Sequence, residues 1–131
     1  MADAAHLILF VADQAASRDF YAKALARAPQ LDVPGMTEFA LPGGAVLGLM
    51  PLAGIRRLLG DAIPDPGVAA GVPRGELYLR VGDPAAHHAR ALAAGAREVS
   101  VLAPRDWGDD AAYSLDPDGH LLVFAVPTAR R

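Results

Sequence analysis

The stretch from His6 to Asp13 is written twice. It recurs seventy positions on, from Glu76 to Asp83. Leu7, Leu9, Val11 and Asp13 match Leu77, Leu79, Val81 and Asp83 without a gap, and Ala15 and Ala16 match Ala85 and Ala86. The tails agree too. Phe39, Ala40 and Leu41 align with Tyr113, Ser114 and Leu115, and after one inserted turn residue Leu47 and Gly48 align with Leu122 and Val123. Self-similarity of this kind means one supersecondary unit used twice, and it constrains the fold before any other feature does.

Strand alternation puts Leu7, Leu9 and Val11 on one face and His6, Ile8 and Phe10 on the other. Both faces are mostly apolar, so one should be covered and the other should line something enclosed. Asp13 is an expected N-cap for a helix over 15–28, which Pro29 ends. Short strands follow around 31–33, 37–41 and 45–50, with Pro42, Gly43 and Gly44 as a turn. Residues 1–51 therefore read as a βαβββ module. Residues 52–74 read as a linker rich in proline and glycine, with room for one helical turn over 55–59. Residues 75–131 repeat the module: a strand over 76–81, a helix over 84–94 closed by Gly95, and strands over 98–102, 111–115 and 121–126. The expected class is α+β, two tandem modules in one structural domain.

Composition excludes more than it selects. At 131 residues the chain can bury a real interior. It has no cysteine, hence no disulfide, thiolate metal site or cysteine nucleophile. Its net charge is −3 and its 12 lysines and arginines form no basic run, which argues against nucleic acid as a partner. The apolar run 6–12 is too short for a membrane span, so a soluble, cytoplasmic protein is expected.

Together these segments resemble the vicinal oxygen chelate superfamily of glyoxalases, bleomycin resistance proteins and extradiol dioxygenases. The carrying residues are the strands that begin at His6 and Glu76, Phe20-Tyr21, Ala94-Gly95-Ala96, Trp107-Gly108 and the run Asp116-Pro117-Asp118-Gly119-His120. The resemblance implies paired modules whose mixed sheets curl into a cup. In metal-dependent members it implies one divalent ion held from four strands, at positions that fall on His6, Gly48, Glu76 and Val123. Only His6 and Glu76 can coordinate. A catalytic ion of this kind generally wants three protein ligands and an open position. The expectation is therefore no cofactor, with nickel, zinc, manganese or iron at His6 and Glu76 as the alternative, and His6 paired with Glu76 on the cup floor.

The remaining candidates have plainer roles beside functional ones. His87 and His88 are adjacent on a helix, cannot chelate together, and read as a solvated face. His120 reads as a turn end, and Asp106, Asp109 and Asp110 as a solvated turn. Trp107 is either a hydrophobic plug under its loop or a stacking wall for a flat ligand. Arg80 and Tyr78 share the face of Glu76, so Arg80 is expected to pair with Glu76 or with an anionic ligand. By resemblance, the leading reading is a small-molecule-binding homodimer whose cavity is walled by His6, Ile8, Phe10, Phe39, Glu76, Tyr78, Arg80, Trp107 and Tyr113. The alternatives are a metal-dependent lyase, isomerase or dioxygenase-like enzyme, in which His120 or a partner-chain residue could complete the ligand set, and a non-catalytic partner module using the linker.

Overall fold

The computed structural model describes residues 3–129. The first module holds β1 (His6–Val11), α1 (Gln14–Ala24), β2 (Leu31–Val33), β3 (Met36–Ala40) and β4 (Val46–Pro51). The second holds β5 (Glu76–Arg80), α3 (Pro84–Ala93), β6 (Arg97–Pro104), β7 (Asp109–Leu115) and β8 (Leu121–Pro127). Each forms its own four-stranded sheet, in the orders β1-β4-β3-β2 and β5-β8-β7-β6. β1 runs parallel to β4 and β5 parallel to β8, while the other neighbours are antiparallel. The duplicated βαβββ unit is thus the architecture.

The repeated residues do the same work in both copies. The Asp13 side chain accepts from the Ala16 amide at the start of α1, and Asp83 accepts from Ala86 at the start of α3. The helix ends differ. α3 stops before Gly95, whose φ of 114° suits glycine. α1 stops at Ala24, short of the expected Ala28, because Ala26 takes φ 53°. The Ala26 amide then donates to the Lys23 carbonyl and the Arg27 amide to the Ala22 carbonyl, which is a Schellman closure built on an alanine. The linker is also more regular than its composition suggests. Its expected turn is a helix, α2 (Leu52–Leu59), followed by 3-10 turns over Gly60–Ala62 and Pro66–Ala69.

The modules meet where α1 packs on α3. Phe20, Tyr21, Ala24 and Ala91 from this helix layer join Leu47 and Leu49 of the first sheet and Leu77, Leu79, Leu122 and Phe124 of the second in one buried cluster. Each sheet therefore spends one face on the helices and keeps the other open. No strand of one sheet pairs with a strand of the other, so the two sheets are not closed into one. Phe39 belongs to the buried cluster at 0% exposure, not to a cavity wall. Its strand neighbour Leu47 lies in the same cluster, so Phe39 faces the helices.

A second contact locks the modules at the β7–β8 turn. The Tyr21 hydroxyl donates to Asp116 at 2.5 Å, the Ala12 amide donates to Asp118 Oδ1 at 2.8 Å, and His120 Nε2 donates to the Phe10 carbonyl at 2.9 Å. His120 is thus more than a turn end, since it ties β8 to the end of β1. Burial raises the pKa of Asp118, and the charges of Asp116 and Asp13 add to this against the Ala12 amide and His120. A carboxyl with a raised folded pKa contributes its stability below the ordinary value and loses it as pH climbs through the folded value. At pH 7 Asp118 has lost that contribution. Asp118→Asn keeps an acceptor for Ala12 and removes the charge, so chemical denaturation at pH 7 should show a gain, under about 1 kcal/mol. The gain should vanish near pH 3.

Candidate functional site

The two open faces differ in chemistry. On the first sheet, β-register sets Ile8 beside Gly48 and Gly48 beside Glu38. A Cβ at Gly48 would lie 3.0 Å from Ile8 and 3.1 Å from the Met36 sulfur, so these two side chains already roof the glycine. His6 Nδ1 lies 3.7 Å from Glu38 Oε2. The partner of His6 is therefore Glu38, two strands across its own sheet, and not Glu76. Alternation along β1 could not reveal this, because Glu38 comes from β3, across β4, where Gly48 stands opposite Glu38 and Val46 opposite His6.

The open face of the second sheet carries the denser polar arrangement. Tyr78 and Arg80 project from β5, and Asp109 from the first position of β7. Asp109 is 2% exposed. Its Oδ2 accepts from the Tyr78 hydroxyl at 2.5 Å and from Arg80 Nε at 3.0 Å. The Tyr78 hydroxyl in turn accepts from the Trp107 indole N–H at 3.0 Å. Four side chains from two strands and a loop thus form one chain of donors, Trp107 to Tyr78 to Asp109, with Arg80 joining at the carboxylate. The hydrogen bond from Tyr78 chiefly, with Arg80 behind it, holds Asp109 below the usual carboxylate range, although burial pulls the other way. Burial first, then the Asp109 hydrogen bond, raises the Tyr78 hydroxyl, which keeps its proton and donates it. Beside this network lies an apolar floor of Ala111, Val123 and Ala125, flanked by Tyr78, Tyr113 and Leu121. The Arg105 guanidinium sits 5.1 Å from the Tyr113 ring centroid and is anchored to Ser100, Val101 and Ala111.

Several expectations are corrected here. β7 begins two residues earlier than its pattern suggests, so Asp109 is a buried strand residue and not part of a solvated turn. Arg80 pairs with Asp109 instead of Glu76. Trp107 is no plug, since it is 55% exposed and held by its edge. His88 is buried and bonded to Glu98 at 2.9 Å, and His87 packs on Phe124, so neither forms a solvated helix face. The structure gathers Glu76, Tyr78, Arg80, Trp107 and Tyr113 on one open face and His6, Ile8 and Phe10 on the other. Sequence reasoning missed Asp109 and Glu38. The only available signal for Asp109 was the alternation of Asp109, Ala111 and Tyr113, which a strand starting at 111 hides.

The residues at the superfamily's metal positions do not fit an ion. Gly48 offers no donor and is roofed by Ile8 and Met36. Val123 is 0% exposed in the apolar floor. Only His6 and Glu76 bring donors, and among the described residues no group of three histidine or acidic side chains is placed to hold a metal. Among the described residues, too, no helix is long and apolar enough to cross a membrane.

Comparison with known proteins agrees with this fold. The uncharacterized protein Mb0911c of Mycobacterium bovis is 33% identical over 128 residues, which take in 91% of this chain and 80% of that one. A glyoxalase/bleomycin resistance protein/dioxygenase family enzyme from Burkholderia phytofirmans superposes with a TM-score of 0.79 at 18% identity, covering 97% of this chain and 100% of that one, a likeness of fold. TnmS3, an antibiotic binding protein from Streptomyces sp. CB03234, superposes with a TM-score of 0.70 at 25% identity over 98% of each chain. The sequence model of the glyoxalase-like domain matches residues 6–125. The chain belongs to the glyoxalase-like domain family, within the vicinal oxygen chelate superfamily.

Proposed function

We propose that this protein is a homodimeric small-molecule binder that works without a metal, sheltering a flat ligand between the second sheet of one copy and the first sheet of the other. The observation that carries the reading is the posture of Trp107. A half-exposed indole is usually mobile and costs conformational entropy to order. Here its N–H is already engaged by Tyr78, which Asp109 fixes in turn, so the ring is held and its π-face is the part left for a partner. A pre-ordered aromatic wall beside the partly exposed rings of Tyr78 and Tyr113 is what a binding pocket for a planar molecule needs. Likeness to an antibiotic binding protein supports sequestration of an antibiotic or metabolite as the purpose. The apolar first face, with Ile8, Phe10 and Met36, supplies the lid once a second copy brings it over.

Light scattering should give twice the 13.6 kDa chain mass, and elemental analysis of purified protein should give well under one transition-metal ion per chain. Trp107 is the only tryptophan, so its emission reports the site directly. A planar antibiotic panel should include compounds that quench it saturably and raise the unfolding temperature. A monomer whose emission no panel member alters, or stoichiometric nickel or zinc lost in His6→Ala, would overturn the reading.

A further inference from the structure

The binding face also specifies the charge of its ligand. We infer, resting on the binding reading above, that the ligand is a planar aromatic acid whose ring lies on Trp107 and whose carboxylate meets Arg80. Arg80 is held at one atom only: Nε donates to Asp109, and its two terminal nitrogens have no other partner among the described residues. Its side chain is 63% exposed while that of Asp109 is 3% exposed, so the guanidinium is anchored from below and presents its outer edge to the open face. That edge is a planar pair of N–H donors, matched in shape to a carboxylate. Trp107 and Arg80 are linked through Tyr78 and Asp109 by three hydrogen bonds, which sets their separation. The other charged groups on this face do not spoil the match. Asp109 is buried, and its Oδ2 is engaged by both Tyr78 and Arg80. Glu76 stands at the far end of β5, roughly 13 Å away by strand rise. Arg105 is occupied by Tyr113 and three oxygens. Tyr78 offers no free hydrogen, since its hydroxyl donates to Asp109, so an acid is favoured over an acceptor that needs a phenolic donor.

The test is calorimetric titration of the full-length protein with 2-naphthoate and its neutral counterpart 2-naphthamide, with the single indole N–H signal followed by NMR. Naphthoate should bind about tenfold more tightly than naphthamide, both should shift the indole signal, and added salt should weaken naphthoate alone. Arg80→Gln keeps an N–H for Asp109 but removes the charge. It should erase the preference, so that the variant binds naphthoate no more tightly than naphthamide. Equal affinities in the natural protein, or a preference that survives Arg80→Gln or high salt, overturn the inference. If the probes bind equally and still move the indole, the acid assignment falls and the binding face stands. If naphthoate binds without moving it, both fall.

Discussion

Phe39→Ala should lower unfolding free energy by about 3–5 kcal/mol, the range for deleting a fully buried aromatic side chain whose cavity cannot collapse. Phe39 is at 0% exposure in a cluster closed by Leu47, Leu49, Phe20 and Tyr21, residues from a strand and a helix that are themselves pinned on both sides. Relaxation into the void would have to move β4 or α1, each held by its own hydrogen bonds. Urea denaturation measures the loss. The same variant distinguishes a core residue from a cavity wall. Where the protein remains folded, quenching of Trp107 by any ligand of the natural protein should keep its affinity within about twofold, because Phe39 lies on the opposite side of a different sheet from the indole. Retained stability with lost affinity would place Phe39 on a binding face and contradict the packing.

The same residue shows where sequence reading reaches and where it stops. The repeat made the two modules legible, since matching strands and N-caps must serve matching folds, and Asp13 and Asp83 do cap their helices alike. Which face of a strand is covered was legible for β1 and β5, where polar His6 and Glu76 mark one side. It was not legible for β3. Glu38 stands on one side of β3, but polar Thr37 shares the side of Phe39, so polarity alone does not separate helix side from open side. Only the register with β4 decides it.

The site was half legible for a related reason. Alternation placed Tyr78 and Arg80 on one face, and the rarity of tryptophan drew attention to Trp107. Their partners lie far off in sequence. Asp109 reaches Arg80 from β7 because β8 stands between the two strands with small Ala125 opposite both Arg80 and Ala111. Glu38, opposite Gly48, meets on the diagonal His6, which stands opposite Val46. In each sheet a long polar pair spans the central strand diagonally beside a small residue, Gly48 in one and Ala125 in the other. A rule that reads one strand at a time cannot find such pairs. The α1 terminus escaped for a local reason, since an alanine at φ 53° carries no signal of a left-handed turn.

Removing Asp116 should have the other large effect. Its Oδ2 takes the Tyr21 hydroxyl, and its Oδ1 takes the amides of Asp118 and His120. Asp116→Ala leaves all three donors without a partner. The turn amides can find water. The Tyr21 hydroxyl, at 0% exposure inside the helix layer, cannot. Its pKa is raised well above the ordinary value, by burial first and by Asp116 second, so it cannot escape by ionising. An orphaned buried donor costs about 1–3 kcal/mol, and with the turn amides the expected loss is about 2–4 kcal/mol. Tyr21→Phe is the control that isolates the hydroxyl. It removes the orphan along with the bond, so the double variant Tyr21→Phe, Asp116→Ala should recover part of the loss, by about 1 kcal/mol or more, in a thermodynamic cycle. The position of the pair makes this a test of function as well as of stability. Tyr21 lies on α1 of the first module and Asp116 in the β7–β8 turn of the second, beside the bonds from Ala12 to Asp118 and from His120 to Phe10. These contacts fix how the two open faces are turned relative to each other, and the proposed dimer needs that angle to bring the first face of one copy over the second face of the next. Asp116→Ala should therefore weaken the dimer in light scattering under conditions where circular dichroism still reports folded modules. An unchanged dimer in a destabilised chain would show that the angle is set by α1 and α3 alone.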